Sequence, residues 1–469
     1  MGFLQPQSEW LRCSALASLT GDGKWLARQA GLAAAIHSPD AIMTLLNLAW
    51  LHGLSRGGSR DGLLQLMRDI DAPRLQGLLA ARLPAGTAAK VRPPGRPLRV
   101  AVYTPQVQGK LHGGTSFALN VMNVLTQSGI AFRAFSAQEA SIPGSIGYVG
   151  GSEVLAGFDV NQESLKLDVP GSVELVLPDT QFSLRRRFEL MLEAIDEYAP
   201  DLVIFVGFMS PVVYRLYERY PVVGLSVHSI APTVPVDVWL ASEDAVAAGN
   251  YWPTLPVPRV APFPYRFWPR GKASPLPRES AGLPVDGTLL VSAGFRLHAE
   301  IGGAWCGRML ALLDANPNLH WLLIGVADGV VREALPRHPR ILLAKPHTKL
   351  ERWLASCDIY VNPPRVGGGA SVAIAMEQGV PVVTHAGTDG GDKLSGMSHT
   401  GDEAYFAQLE SWIGEPGKRR AAGQEQRRHF LANHDISSEL AAAGLRQALE
   451  SALESFAQRS NGVAAVECC

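Results

Sequence analysis

From Leu98 onward the chain alternates short apolar runs with amphipathic segments, and that alternation constrains the fold more than any other feature. LRVAVYT (98–104), IAFRAFSA (130–137), DLVIFVGF (201–208) and PVVGLSVH (221–228) read as buried strands. GGTSFALNVMNVLTQSG (113–129) and VVYRLYERY (212–220) read as helices between them. Strands with no polar alternation are covered on both faces, so the pattern calls for parallel sheets flanked by helices. A proline-rich crossing (251–287) interrupts the series, which then restarts with GTLLVSAGF, WCGRMLALLDAN, LHWLLIGV, RILLAKP, KLERWLASC and DIYVNPP. The expected architecture is therefore α/β with two doubly wound, Rossmann-like domains facing across a cleft, over 98–270 and 271–410. Helices over 411–460 pack back on both. Residues 1–92 lack strand signals and carry leucines at helical spacing, as in AIMTLLNLAWLHGL, before a VRPPGRP break at 91–97. They form a helical accessory region of unassigned role.

Within the second domain the order is strand, GGG loop, helix, strand: NPPRVGGGASVAIAMEQGVPVVT (362–384). Doubly wound domains bind ligands where strands end and helices begin, since free N–H groups and the helix dipole converge there. A diphosphate rewards such a loop, because bare amides at Gly367, Gly368, Gly369, Ala370 and Ser371 can reach its oxygens. A tight turn that spares sterics is the plainer alternative.

Charge and cysteines narrow the partners. Lys plus Arg number 42 against 43 Asp plus Glu, giving no footprint for nucleic acid. Five cysteines without paired spacing fit a reducing compartment, and the terminal Cys468-Cys469 pair reads as tail. The N-terminus lacks a basic, then apolar, leader, and the longest apolar run (201–214) is a strand entering a turn, so a cytoplasmic location without a transmembrane segment is expected.

The segment CDIYVNPPRVGGGASVAIAMEQGVPVVTHAG (357–387) resembles the donor-binding segment of GT-B glycosyltransferases, and the resemblance runs from about Leu98 onward. The retaining branch carries glutamates where this chain has Val366 and Ile374. The branch of O-GlcNAc transferase and the adhesin N-glycosyltransferases is more similar: Cys357-Asp358, then IYV, then Asn362-Pro363, and Arg296 nine residues before Trp305 where that branch has a phosphate-binding lysine. The chain departs from it at Gly368, Gly369, Ala370 and Ser371, where the adhesin enzymes are polar, and lacks a tetratricopeptide array. The resemblance implies a nucleotide-sugar donor, with UDP as carrier, as co-substrate rather than cofactor. It also implies a protein, peptide or glycan acceptor and inverting, metal-independent transfer.

Candidate residues follow. Arg296 sits after the strand LLVSA, where a guanidinium grips two phosphate oxygens or is a surface arginine. His112, with Gly113 and Gly114 in QGKLHGGTSFALN (108–120), is a base near the acceptor or a helix cap. The resembling families place a functional histidine in this loop. His228 ends a strand, and Asp237 reads equally as a helix N-cap before VWLASEDA. Lys345 and His347 follow RILLA, where the resembling enzymes hold base and ribose. Thr384, Gly387 and Thr388 offer further phosphate donors. Asp389 and Asp392 flank two glycines and read as turn residues rather than metal ligands. Alternatives to protein glycosylation are polysaccharide or metabolite transfer, a non-catalytic GT-B partner subunit, and, more distantly, a sugar-nucleotide epimerase. Nothing in the residues fixes the oligomeric state.

Overall fold

A computed structural model describes residues 4–36, 38–56, 60–85, 96–108, 112–142, 166–226, 230–242, 249, 251–325, 335–345 and 349–467. The chain forms two compact units: residues 1–51, 65–266 and 436–469 make the first, and 52–64 with 267–435 the second. No helix among the described residues is long and apolar enough to cross a membrane.

The first unit holds a seven-stranded parallel sheet of β1 (Arg99–Tyr103), β2 (Ala131–Phe135), β3 (Leu175–Val176), β4 (Leu202–Val206), β5 (Val222–Leu225), β6 (Val238–Ala241) and β7 (Arg259–Pro262). The spatial order is β3-β2-β1-β4-β5-β6-β7. β4 reads LVIFV and all five residues are buried, as a central parallel strand requires. Burial of each such side chain contributes about 1.5–3 kcal/mol relative to exposure. The strand order reverses direction between β1 and β4. This is the switch point at which doubly wound sheets open a crevice.

VWLASEDA does not begin as a helix. Val238–Ala241 is an interior strand with every residue buried, because its four apolar residues fill the gap between β5 and β7. Asp237 caps no helix: its Oδ2 accepts the Val222 N–H at 2.7 Å, and Oδ1 accepts Arg459 Nε at 2.9 Å.

The N-terminal helical region, residues 52–64 excepted, is part of the first unit's packing. After α1 (Leu4–Thr20) and α2 (Lys24–Gly31) come α3 (Pro39–Arg56), α4 (Arg60–Asp69) and α5 (Ala72–Ala80). Gln76 on α5 donates to Thr233 Oγ1 at 2.6 Å and accepts the Ser210 N–H at 2.7 Å. Trp50 on α3 stacks on Phe208, with ring centroids 4.3 Å apart. Beneath them lies a buried carboxyl. Tyr103 Oη and Ser210 Oγ both donate to Glu139 Oε1, at 2.5 and 2.6 Å, while Oε2 has no partner among the described residues. Burial pushes Glu139 up to about 8, against the opposing pull of the two hydroxyls and Arg187.

The second unit holds β8 (Thr288–Ala293), β9 (Leu319–Ile324), β10 (Ile341–Ala344), β11 (Ile359–Val361) and β12 (Val382–Val383), all parallel, in the order β10-β9-β8-β11-β12. Period-2 alternation divides its core. Leu290 and Val361 join Trp305, Trp321 and Tyr405 on one face, while Leu289, Val291 and Tyr360 join Val372, Met376 and Phe430 on the other. The covering helices are α6 (Gly113–Gln127), α7 (Leu184–Tyr198) and α8 (Pro211–Arg219) in the first unit. The second has α9 (Leu297–Glu300), α10 (Gly303–Ala315), α11 (Leu350–Ala355), α12 (Gly369–Gln378), α13 (Asp389–Asp392), α14 (Asp402–Gly414) and α15 (Pro416–Asn433). The long α16 (Glu439–Glu467) returns to the first unit and packs on β5 and β6.

Candidate functional site

The second sheet reverses direction between β8 and β11, which pair at Ile359–Leu290 and Tyr360–Val291. The loops leaving these two strands, Gly294-Phe295-Arg296 and 362–368, therefore emerge side by side at the carboxyl edge. Arg365 fills the slot between them. A Cβ on Gly294 would stand 2.6 Å from its guanidinium, and one on Gly368 would collide with it outright. Gly368 also sits at φ +93°, a conformation that disfavours any side chain.

Arg365 is fully buried and its hydrogen bonds knit the two loops. Nε donates to Asn362 Oδ1 at 2.9 Å, Nη2 to Ala293 O at 3.0 Å and to Tyr360 Oη at 3.1 Å, and Nη1 to Glu300 Oε2 at 2.8 Å. Glu300, on α9, reaches back to Arg296: Oε1 accepts Arg296 Nε at 3.1 Å and Nη2 at 3.0 Å. Burial alone would raise the Glu300 carboxyl, but Arg365 and Arg296 outweigh it and hold the group below the usual carboxylate range. Arg296 itself is one quarter exposed and lies against Gly367, where a Cβ would stand 2.9 Å from Nη2.

The third glycine meets a carboxylate. A Cβ on Gly369 would collide with Asp389, whose Oδ2 accepts the Gly369 N–H at 3.0 Å. Lys393 Nζ holds the other oxygen, Oδ1, at 3.0 Å. The next two amides of α12, those of Ala370 and Ser371, have no acceptor among the described residues. The three glycines thus face two guanidinium groups and one carboxylate of the chain itself.

The other candidates take varied places. Ser371 Oγ accepts Tyr360 Oη at 2.7 Å and donates to Gly368 O at 3.0 Å. Thr384 is buried and accepts Asn362 Nδ2 at 3.0 Å. Thr388 caps α13, donating to His385 O and accepting the Gly391 N–H. Gly387, at φ +70°, and Ala370 are exposed. Lys345 is exposed just past β10. His112 is the N-cap of α6: its Nδ1 accepts the Thr115 N–H at 3.2 Å, which leaves the neutral ring's proton on Nε2. Gly113 opens that helix, and Gly114 packs against the His112 ring. His228 and His347 lie outside the described residues.

Sequence reasoning overlooked Arg365, Glu300 and Lys393. Arg365 stands two residues before the triple glycine in NPPRVGGG, and Glu300 stands at i+4 from Arg296 in RLHAE, so a charge-spacing reading could have found both. Among the described residues no three His, Cys, Asp or Glu side chains gather as a metal-ligand set.

No protein-family model matches the chain, and no curated protein is significantly similar to it. Solved structures are. An O-GlcNAc transferase of Thermobaculum terrenum superposes with a TM-score of 0.58 at 15% identity, covering 95% of this chain and 87% of its own. A sucrose-phosphate synthase of Thermosynechococcus elongatus gives 0.51 at 14%, covering 75% and 98%. The chain has the GT-B fold. Its two parallel sheets, each with a switch point, are the two doubly wound halves of that fold.

Proposed function

We propose that this chain is a glycosyltransferase that moves a sugar from a nucleotide-sugar donor, with UDP as carrier, to a protein or peptide side chain by metal-independent, inverting transfer. One observation carries the reading: at the switch point of the second sheet, Arg296 lies against Gly367, in the loop that leads into the amides of Ala370 and Ser371, for which no acceptor stands among the described residues. A cation and a helix N-terminus together suit the charge that develops on a departing nucleoside diphosphate. Val366 and Ile374, where the retaining branch has glutamates, support inversion. His112 is the candidate base, and serving as one requires the ring to release the Thr115 N–H. His228, Lys345 and His347 remain part of the proposed acceptor and nucleotide contacts.

Calorimetric titration with UDP, GDP and dTDP, with and without EDTA, tests the reading. Metal-independent binding of one nucleotide, lost in Arg296→Ala, is the expected result. No binding of any nucleotide overturns it. A second reading, a non-catalytic GT-B partner subunit, is favoured by the Asp389 carboxylate lying on the first amide of α12.

A further inference from the structure

We propose that Arg60, in the N-terminal helical region, is a positioning residue for the donor site: it clamps α13, the single helical turn against which the glycine loop is held. The inference rests on the donor reading above. Residues 52–64 belong to the second unit, and there the first residue of α4 meets the last residue of α13. Arg60 Nη1 donates to Asp392 Oδ2 at 2.7 Å, with 13% and 4% of the two side chains exposed. A pair so enclosed is poorly screened by solvent, and removing one partner leaves a buried charge uncompensated.

α13 depends on such an outside hold. Its sequence is DGGD, and two glycines within one turn bring the largest backbone freedom and no side chain to pack. Close approach to the strand ends requires them. A Cβ on Gly390 would stand 2.7 Å from Asn362 Nδ2, and one on Gly391 would collide with the His385 carbonyl. The turn is therefore fixed by side chains at its two ends. Thr388 Oγ1 accepts the Gly391 N–H at 2.9 Å at the start, and Arg60 grips Asp392 at the finish.

What α13 holds is the loop itself. The Asp389 N–H donates to Val366 O at 3.0 Å, and Asp389 Oδ2 accepts the Gly369 N–H at 3.0 Å. These two contacts flank Gly367 and Gly368, so a shift of the turn passes to both ends of the segment on which Arg296 lies. Backbone amides and a guanidinium recognise a ligand only from fixed positions, and the second layer of contacts fixes them. Arg60 belongs to that second layer and acts through Asp392. Part of the N-terminal region thereby acquires a role in the donor site.

The test is calorimetric titration of the full chain with UDP, GDP and dTDP. It compares wild type, Arg60→Met, Arg60→Lys and the double variant Arg60→Met/Asp392→Asn, each titrated well below its measured melting temperature. Arg60→Met should bind the wild type's nucleotide about tenfold more weakly at unchanged stoichiometry. Arg60→Lys keeps the charge and should recover part of the loss. The double variant leaves no buried carboxylate without its guanidinium, so it stays informative if Arg60→Met unfolds, and it should bind as weakly. Wild-type affinity in the folded Arg60→Met or double variant, with only a lower melting temperature, overturns the positioning role and leaves the donor reading intact. No binding of any nucleotide by wild type overturns the donor reading and this inference together.

Discussion

Replacing Glu139 by glutamine should stabilise the protein at neutral pH. The carboxyl is buried, with two hydroxyls on one oxygen and, among the described residues, no hydrogen bond on the other. Its value rises from 4.5 to about 8, burial being the main cause. At pH 7 the unfolded chain carries the ionised group and the folded chain the neutral one, so folding must take up a proton. About 2.5 pH units at 1.36 kcal/mol each put this at roughly 3 kcal/mol. A raised folded value means the stabilising contribution is complete below about 4.5 and is lost as pH rises through about 8. Glutamine has the same shape and no proton to take up. Urea unfolding at about pH 5, 7 and 9 should show Glu139→Gln near wild type at the lowest pH. Its advantage should grow to roughly 3 kcal/mol at neutrality and level off above about pH 8. A gap that stays constant across the series would refute the argument, because it would mean that Glu139 does not change its proton count on folding.

Arg365→Met removes one of the two guanidinium partners of the buried Glu300, together with the bonds to Asn362, Ala293 and Tyr360, and should cost about 3–5 kcal/mol in thermal or urea unfolding; the double variant with Glu300→Gln should cost less than the two singles summed. His112→Asn keeps a good N-cap on α6, so its unfolding free energy should stay within about 0.5 kcal/mol of wild type. On the base reading its turnover should nevertheless fall by about a hundredfold, and unaltered turnover would leave His112 a cap.

What could be read from the sequence tracks how local each cause is. DLVIFV announces β4 because an interior parallel strand must be apolar throughout, and that requirement is written in consecutive residues. Ser183, Ser210 and His112 sit directly before their helices and cap them, so starts are legible in the same way. VWLASEDA misled because four apolar residues followed by alanine and acids satisfy a helix as well as a strand; only the vacancy beside β5 decides for strand. The site was legible as a place, at the glycine loop, but its wiring was not. Arg365 and Glu300 are 65 residues apart and meet because β8 and β11 are neighbours. Asp389 looked like a turn residue, and its grip on Gly369 follows from β12 lying beside β11.

The return of α16 to the first unit bears on how the protein is made. Arg459 pairs with Asp237, which in turn accepts the Val222 N–H, so the β5–β6 face of the first sheet is completed by residues more than two hundred positions downstream. A ribosome synthesising this chain exposes that face while the entire second unit emerges and folds. Loop closure over such a span is slow, and an unfinished apolar face invites association with other chains in the interval. The downstream helix α16 is thus the one that makes the upstream sheet safe, and a nascent chain stopped before α16 is the form most exposed to aggregation and to capture by chaperones.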